Sequence, residues 1–470
     1  MTSPDERIHV IGIAGSGAAG AALLLQRAGA LIDGCDADGP SPYTPPLDAA
    51  GIRWQVGHDP VHLAGIDRVA ITPALRALPH HDELAAAEAA GIPVQTWQAL
   101  LGELMAAEGR IGVGVTGTHG KSTTTALLGH LLVSAGLDPT VEVGAFIGAW
   151  GASVRAGEGR PFVVEADEFG DNFLSYHPAA AIVTSVEMDH PDYFADAAAV
   201  MGSFERFVRG MGSDSAVGGR LLLAASGDPG ADELVARLGD WDGRVVRYGP
   251  GGEIEASDVA YAPDVTSFTL FERPFESRLA GAHNVLNATA ALAMARTLGA
   301  DLDRLVEGLR TFAGAGRRME LIADTPRVTI FDDYGHHPTE VRATLAAARQ
   351  RVGANRRLWA VFEPHMYSRT ALLLDAFSTA FTDADEAVIV DIFASRDTPE
   401  AMAATSAEDL ADAIERASGT PAIATGDVEA TTAYVADHLG DGDAVLVMGA
   451  GKSYRIARGL AERLAGGMSR

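Results

Sequence analysis

The stretch from Gly112 to Thr125, GVGVTGTHGKSTTT, limits the possible folds of this chain more than any other. The apolar run Ile111 to Val115 is long enough for a buried strand, Gly117 to Gly120 supplies a turn, and Lys121 to Leu128 continues as a helix. In that order the three elements aim backbone N–H groups and the positive end of a helix dipole at one point, so an anion is stabilised there. Lys121 adds a full charge and Ser122 a hydroxyl of the kind that sits on Mg²⁺. Lys121 and Lys452 are the only lysines, every other cationic side chain being Arg. A compact ammonium on a thin stem fits beside a β/γ-phosphate where a planar guanidinium does not. The loop is shorter than a Walker A sequence, whose spacing would need a glycine in place of Val115. It reads as a related phosphate cradle; the bland alternative is a glycine-rich turn that binds nothing.

The rest of the chain has to be compatible with that cradle. At 470 residues, 47% of them apolar, there is core material for two to four domains. A net charge of −27 argues against nucleic acid or an anionic membrane as partner, so an anionic substrate must be drawn by local positive features. The single cysteine, Cys35, excludes a disulfide within the chain and fits a reducing compartment. The first residues, MTSPDERIHVIGIAG, lack the basic start of a secretory signal, and no apolar run reaches membrane-spanning length. The expectation is a cytoplasmic protein, monomer or homodimer.

Before the cradle, a β-like run from Ile8 to Ile13 leads into GIAGSGAAG and an alanine/leucine-rich helix, a turn of the nucleotide-binding type with Gly15, Ser16 and Gly17 at its centre. The next β-like segment, Ala30 to Cys35, ends at Asp36, about 20 residues beyond the glycines, where such folds place an acid on a ribose. Thr72-Pro73-Ala74 follows a third predicted strand, Arg68 to Ile71, at the ligand-binding edge. After the cradle, Phe162 to Val164 runs into Glu165–Glu168, and Ala180 to Ser185 leads to Glu187, Asp189 and His190. Two strands thus deliver carboxylates and a histidine to the edge that carries Lys121, which suits a divalent cation. Gly281 opens a long alanine-rich helix with His283, Asn284 and Asn287 in its first turns, and Arg317 and Arg318 follow a second glycine turn.

From Val328 an α/β pattern restarts, with strands readable at Val328 to Asp332, Leu358 to Phe362, Ala387 to Ile392 and Ala444 to Met448. Their tips carry Asp333, Tyr334, His336, His337, His365, Arg369 and Lys452, which an open parallel sheet gathers on one edge.

These motifs together, GTHGKSTTT, EADE, the MDH segment, GAHNVLNA, GRRME, DDYGHHPTE, EPHMYSRT and MGAG, resemble the Mur ligase superfamily over essentially the whole chain. The resemblance implies an α/β protein of three domains. Residues 1–109 would form a Rossmann-like domain for a UDP-sugar, 110–322 a central P-loop-type ATPase domain, and 323–470 a C-terminal Rossmann-like domain for an amino acid. It implies an ATP- and Mg²⁺-dependent ligase, most like those that join L-alanine to the lactyl carboxylate of UDP-N-acetylmuramate through an acyl phosphate in peptidoglycan precursor synthesis. ATP would be held by Gly117, Thr118, His119, Gly120, Lys121, Ser122, Thr123, Asn284, Asn287, Arg317, Arg318 and Asp333. Mg²⁺ would fall to Ser122, Glu168 and His190. The substrate side would comprise Gly15, Ser16, Gly17, Asp36, Thr72, Tyr334, His337 and Arg369, with Lys121, Glu168, His190, His336 and His337 acting in catalysis. A carbamylated-lysine metal bridge, as later ligases of the pathway use, is excluded because no lysine lies between Lys121 and Lys452. Departures from the family pattern fall at Ala14, Ser16, Ala18, Trp97, Ser153, Met366 and Lys452. A ligase attaching a tripeptide to the same nucleotide sugar, and a nucleotide-sugar-binding sensor switched by ATP, are the competing readings.

Overall fold

A computed structural model describes residues 4–73, 75, 81–395 and 397–467; of the expected Thr72-Pro73-Ala74 turn, Ala74 lies outside them. The chain forms two compact units, residues 1–188, 196–256 and 286–315 in one, and 189–195, 257–285 and 316–470 in the other.

The first unit holds two sheets. Strands β1 (Arg7–Ile11), β2 (Leu31–Asp36), β3 (Arg53–Val56), β4 (Arg68–Ile71) and β5 (Val94–Thr96) are parallel and ordered 3-2-1-4-5, the Rossmann half-fold order. The second sheet contains β6 (Ile111–Thr116), β7 (Thr140–Ile147), β8 (Ala152–Arg155), β9 (Pro161–Glu165), β10 (Ala180–Val183), β11 (Leu221–Ala225) and β12 (Arg244–Tyr248) in the order 12-11-10-6-9-7-8. All its pairings are parallel except β7 with β8. Strand β6 is buried along its whole length between β9 and β10, as its unbroken apolar run requires of a central parallel strand.

The second unit contains an antiparallel meander of β13 (Ser257–Tyr261), β14 (Thr266–Leu270) and β15 (Arg273–Ser277). It also holds a six-stranded sheet of β16 (Glu320–Asp324), β17 (Val328–Asp333), β18 (Leu358–Phe362), β19 (Glu386–Val390), β20 (Ala422–Gly426) and β21 (Asp443–Met448), ordered 16-17-21-18-19-20. Side chains alternate between its two cores. Val328, Ile330, Trp359 and Val361 enter one face; Phe331, Leu358, Ala360 and Phe362 enter the other. Both faces are covered, so these strands read as continuous hydrophobic runs.

The strand ends differ from the sequence reading by at most two residues, the ordinary scatter of boundaries. Larger differences are strands the pattern did not signal. Strands β7 and β8 enclose a glycine turn, and β13 is exposed throughout, so it has no buried face to impose alternation. Strand β16 pairs antiparallel with β17 and extends the C-terminal α/β unit upstream of Val328.

Candidate active site

In the first unit the phosphate loop follows the C-terminal end of β6, and the acids follow its two neighbours in the sheet, β9 and β10. Parallel pairing places those three tips side by side, which explains how residues distant in sequence converge. The loop geometry requires its glycines. Gly117 has φ +134°, and a Cβ there would lie 2.1 Å from the Thr184 hydroxyl. Gly120 has φ +79° and caps the Lys121–Ser134 helix without a side chain, and a Cβ on it would meet Asn287 Oδ1 at 2.6 Å. The expected Lys121–Leu128 helix therefore starts where the sequence placed it, with Asn287 against its cap.

Lys121 is held within this loop. Its Nζ donates to the carbonyls of Gly117 at 2.7 Å and Thr118 at 3.2 Å and meets Glu168 at 2.9 Å. Burial alone would favour a neutral amine, but Glu168 and Asp167 outweigh it and keep the ammonium charged. Ser122 Oγ donates to Glu165 at 2.7 Å, and Glu165 also accepts from the Gly144 N–H at 2.7 Å. His119 N–H is fixed by Ser185 Oγ at 3.0 Å, and Thr118 N–H by the Ser185 carbonyl at 3.0 Å. A hydroxyl and two carboxylates beside an ammonium form a hard-oxygen donor set of the kind that suits Mg²⁺ next to a nucleotide phosphate. Thr123 lies in the first turn of the same helix.

Sequence reasoning missed Glu142. It lies in β7, almost wholly buried, with Oε2 lacking a hydrogen-bond partner. Burial and then the Glu165 charge push its carboxyl well above the ordinary range. The sequence offers no signal, since one acid in an apolar run is also the mark of an exposed edge. The native state holds the carboxyl proton while the unfolded chain releases it near pH 4.3, so stability falls by about 1.4 kcal/mol per pH unit above that point until the folded group titrates. Glu142→Gln removes this slope. Its melting temperature is expected to gain on the wild type progressively as the pH rises from about 5 until the folded group titrates; a constant difference across neutral pH refutes the raised Glu142 carboxyl.

The N-terminal glycine turn explains two departures from the family pattern. Gly17 lies directly under Trp97, where a Cβ would come within 2.3 Å of the indole. Ser153 Oγ donates to the Ser16 carbonyl at 2.9 Å, and the adjacent Val154 side chain closes on Gly20. Trp97 and Ser153 are thus matched to the helix that starts at Ser16, whose N-cap is Gly15. Asp36 turns inward: it accepts from Ala14 N–H at 2.9 Å and Asp38 N–H at 3.1 Å, holding the glycine turn. Thr72 packs its methyl against Gly12.

In the second unit the tips of β17, β21 and β18 are adjacent. Arg369 is almost fully buried and pairs with Asp189 at 2.8 Å; its other nitrogen contacts His365 at 3.2 Å, and His190 lies 3.5 Å away. Burial would raise the Asp189 carboxyl, but His190 and Arg369 beside it hold it well below the usual carboxylate range. His336 is pushed down to about 4, by burial first and then by Arg369, and is a neutral imidazole at pH 7. Its Nδ1 lies 3.1 Å from the Tyr334 carbonyl, which assigns the proton to Nδ1 and leaves Nε2 an acceptor. His337 caps the Pro338–Val352 helix, its Nδ1 accepting from Thr339 N–H at 3.3 Å in a capping box with Glu340.

Arg317 and Arg318 both lie 5.0 Å from the Tyr334 ring, and Arg317 also meets Asp332 at 3.2 Å. Burial pushes Asp332 up to about 7 against that pairing. Both carboxylate oxygens of Asp333 accept from backbone, Met319 N–H and Gly335 N–H, each at 2.7 Å. Asn284 donates to the Ala280 carbonyl at 2.8 Å at the start of the Ala282–Thr297 helix. Met366 adopts φ +72° at the N-cap of the short helix bearing Arg369. The loop around Lys452 wraps Glu363, with Ser453 N–H donating at 2.7 Å and a Cβ at Gly451 coming within 2.7 Å of its carboxylate.

Lys121, Ser122, Glu168 and Asn287 belong to the first unit; Asn284, His190, Arg317, Arg318, Asp333, Tyr334, His336, His337 and Arg369 belong to the second. Family models match nearly all of the chain: "Mur ligase family, catalytic domain" at residues 7–108, "Mur ligase middle domain" at 115–295 and "Mur ligase, glutamate ligase domain" at 317–451. The chain belongs to the Mur ligase family. Among members of that family it is 39% identical to the UDP-N-acetylmuramate–L-alanine ligase of Mycolicibacterium vanbaalenii, over 96% of this chain and 95% of the relative. It is 34% identical to the ligase of the same name from Acetivibrio thermocellus, over 96% and 94%. Among solved Mur ligase structures, the UDP-N-acetylmuramate-alanine ligase of Thermotoga maritima superposes with a TM-score of 0.81 at 25% identity, covering 98% of this chain and 99% of that one. A murein peptide ligase from Psychrobacter arcticus shares the Mur ligase fold with a TM-score of 0.68 at 24% identity, covering 98% of each.

Proposed function

We propose that this chain is an ATP-dependent ligase that joins L-alanine to the lactyl carboxylate of UDP-N-acetylmuramate, in peptidoglycan precursor synthesis. The observation that carries the reading is 39% identity across 96% of the chain to a ligase of that name. The division into a UDP-sugar domain (1–109), an ATPase domain (110–322) and an amino-acid domain (323–470) is part of the proposal, supported by the three family-model matches. Among the described residues no helix is long and apolar enough to cross a membrane, in keeping with a cytoplasmic reaction.

A carboxylate has no adequate leaving group for attack by an amine, and phosphorylation supplies one. The lactyl carboxylate attacks the γ-phosphorus of ATP, the bond to the bridging oxygen breaks, and ADP leaves. Lys121, charged and aimed by its own loop, neutralises the developing phosphoryl charge, while the Gly117–Thr123 backbone cradles the nucleotide. Asn284, Asn287, Arg317 and Arg318 are assigned to the nucleotide and Gly15, Ser16 and Gly17 to the UDP-sugar. Ser122, Glu168 and His190 are the residues proposed to hold Mg²⁺, which when bound supplies charge neutralisation on the phosphates. L-alanine's ammonium gives up a proton to solvent, the free amine attacks the acyl carbon, and the tetrahedral intermediate expels phosphate and sheds its second proton to water. His336, with its conjugate acid down at about 4, accepts a hydrogen bond from the incoming ammonium without taking its proton at pH 7, so it orients rather than deprotonates. Arg369 and Tyr334 are assigned to the carboxylate side of the substrates.

Phosphate release measured with UDP-N-acetylmuramate and single amino acids tests the reading. L-alanine-dependent release is expected; dependence on a preformed tripeptide instead, or ATP turnover indifferent to any acceptor, would overturn it.

A further inference from the structure

The N-terminal sheet contains a second cluster of chemistry-bearing side chains, none of which belongs to the phosphate loop. In the β1–β2 pair His9 lies opposite Asp33, and Cys35, two residues on, shares their face. The helix Asp82–Ala89 brings Glu83 to that face, and the turn Pro60–Leu63 brings His62. His9, Cys35 and Glu83 are all at most 1% exposed. His9 Nε2 lies 3.0 Å from Glu83 Oε1 and 3.3 Å from Cys35 Sγ; Cys35 Sγ lies 3.1 Å from Glu83 Oε2, and His62 Nδ1 3.0 Å from Glu83 Oε1. One donor atom from each of the four residues falls within 4.8 Å of all the others.

We propose that His9, Cys35, His62 and Glu83 form a structural Zn²⁺ site. Zinc bonds to nitrogen, oxygen and sulfur place the donors of a tetrahedron roughly 3.3–3.7 Å apart, and the four donors, 3.0–3.3 Å apart where they touch and within 4.8 Å throughout, reach that spacing by small side-chain shifts. One thiolate and one carboxylate neutralise the dication, so a filled site carries no net charge into the sheet's apolar flank of Ile11, Leu63, Val69, Ile71 and Ala87. Sulfur with two imidazoles selects zinc over magnesium, and four protein ligands leave no position for a substrate. The surrounding shell is also in place. His9 Nδ1 lies 2.6 Å from Asp33, the carboxylate–histidine–metal arrangement, and His58 Nδ1 lies 3.1 Å from Cys35 Sγ, where an N–H would support a thiolate. A cleft of ≈ 690 Å³ lined by His9, Asp33, Trp54 and His62 supplies an entry path. The site ties together β1, β2, the His62 turn and the Glu83 helix.

The full-length protein, stripped with a chelator and titrated with Zn²⁺ or Co²⁺, tests this directly. One equivalent of Zn²⁺ is expected to raise the melting temperature and to slow alkylation of Cys35 by at least about tenfold. Co²⁺ is expected to give a thiolate-to-metal charge-transfer band with intense tetrahedral bands in the visible. Cys35 is the only cysteine, so that band is unambiguous, and cobalt bound among the phosphate-loop carboxylates cannot imitate it. Cys35→Ser should abolish the band. Asp33→Asn, whose side chain is partly exposed and which keeps all four ligands, should weaken binding by about 10–100-fold and keeps the test valid if the serine variant does not fold. A folded wild-type protein that gives no charge-transfer band, or whose Cys35 is alkylated equally fast with and without zinc, overturns the site.

Discussion

Lys121→Ala is expected to reduce L-alanine-dependent phosphate release by about 10²-fold or more, the usual cost of losing one preorganised charge at a phosphoryl-transfer transition state. Lys121→Arg is expected to fall nearly as far. The ammonium occupies a slot bounded by the Gly117 carbonyl at 2.7 Å and Glu168 at 2.9 Å, and a planar guanidinium on a longer stem cannot take that position without opening the loop. Removing the lysine also takes the ammonium away from the buried Glu168, so lost activity needs to be separated from lost stability. Turnover of Lys121→Ala measured well below its own melting temperature, on protein whose circular dichroism matches wild type, separates them: it should stay low. Turnover of Lys121→Ala within a few-fold of wild type would remove the central claim.

Arg369→Met is expected to destabilise the protein by about 3–5 kcal/mol, because it strips the partner from the buried Asp189 carboxylate. The sign of its pH dependence follows from that pairing. In the wild type Asp189 is held below its unfolded value, so its contribution is fully present above about pH 3.9 and is lost as the pH falls through the folded value. Without Arg369 the carboxyl loses one of the two foremost charges that hold it down and its value rises, so the variant's deficit should be largest at neutral pH and shrink as the pH falls. Asp189→Asn on the Arg369→Met background should recover about 1–3 kcal/mol, the cost of the uncompensated group. Urea unfolding of the four proteins of this cycle at neutral and acid pH measures all three quantities; a deficit independent of pH would show that Arg369 acts through packing alone.

Much of the architecture was legible because it rests on patterns local in sequence. The apolar run before Gly117 and the glycines after it dictate a buried strand and a turn whatever surrounds them, and β6 with the Lys121–Ser134 helix is the result. The same holds for β17, β18 and β21. Strand β13 was not legible, because an exposed strand carries no periodic apolar face. Within the candidate site, Lys121 and the carboxylates after β9 and β10 could be grouped from the rule that parallel strand tips share an edge. Roles inside the group could not. His337 reads like His336 in sequence, yet it is a helix cap, whereas His336 is a buried neutral imidazole. Asp333 and Asp36 read as ligand-facing acids, yet each is taken up by neighbouring N–H groups, because an acid beside a tight turn is drawn to the turn's own donors.

By itself the sequence determined the phosphate cradle, the singular position of Lys121, the order of the α/β units and the exclusion of a lysine-based metal bridge. Those follow from residue type and spacing, which act over a few residues along the chain. The tertiary structure alone decided the raised carboxyl of Glu142, the Arg369–Asp189 pair and the His9–Cys35–His62–Glu83 cluster. Each depends on burial and on groups from separate elements meeting at about 3 Å, the range at which desolvation and charge pairing set protonation, and no spacing along the chain encodes that meeting.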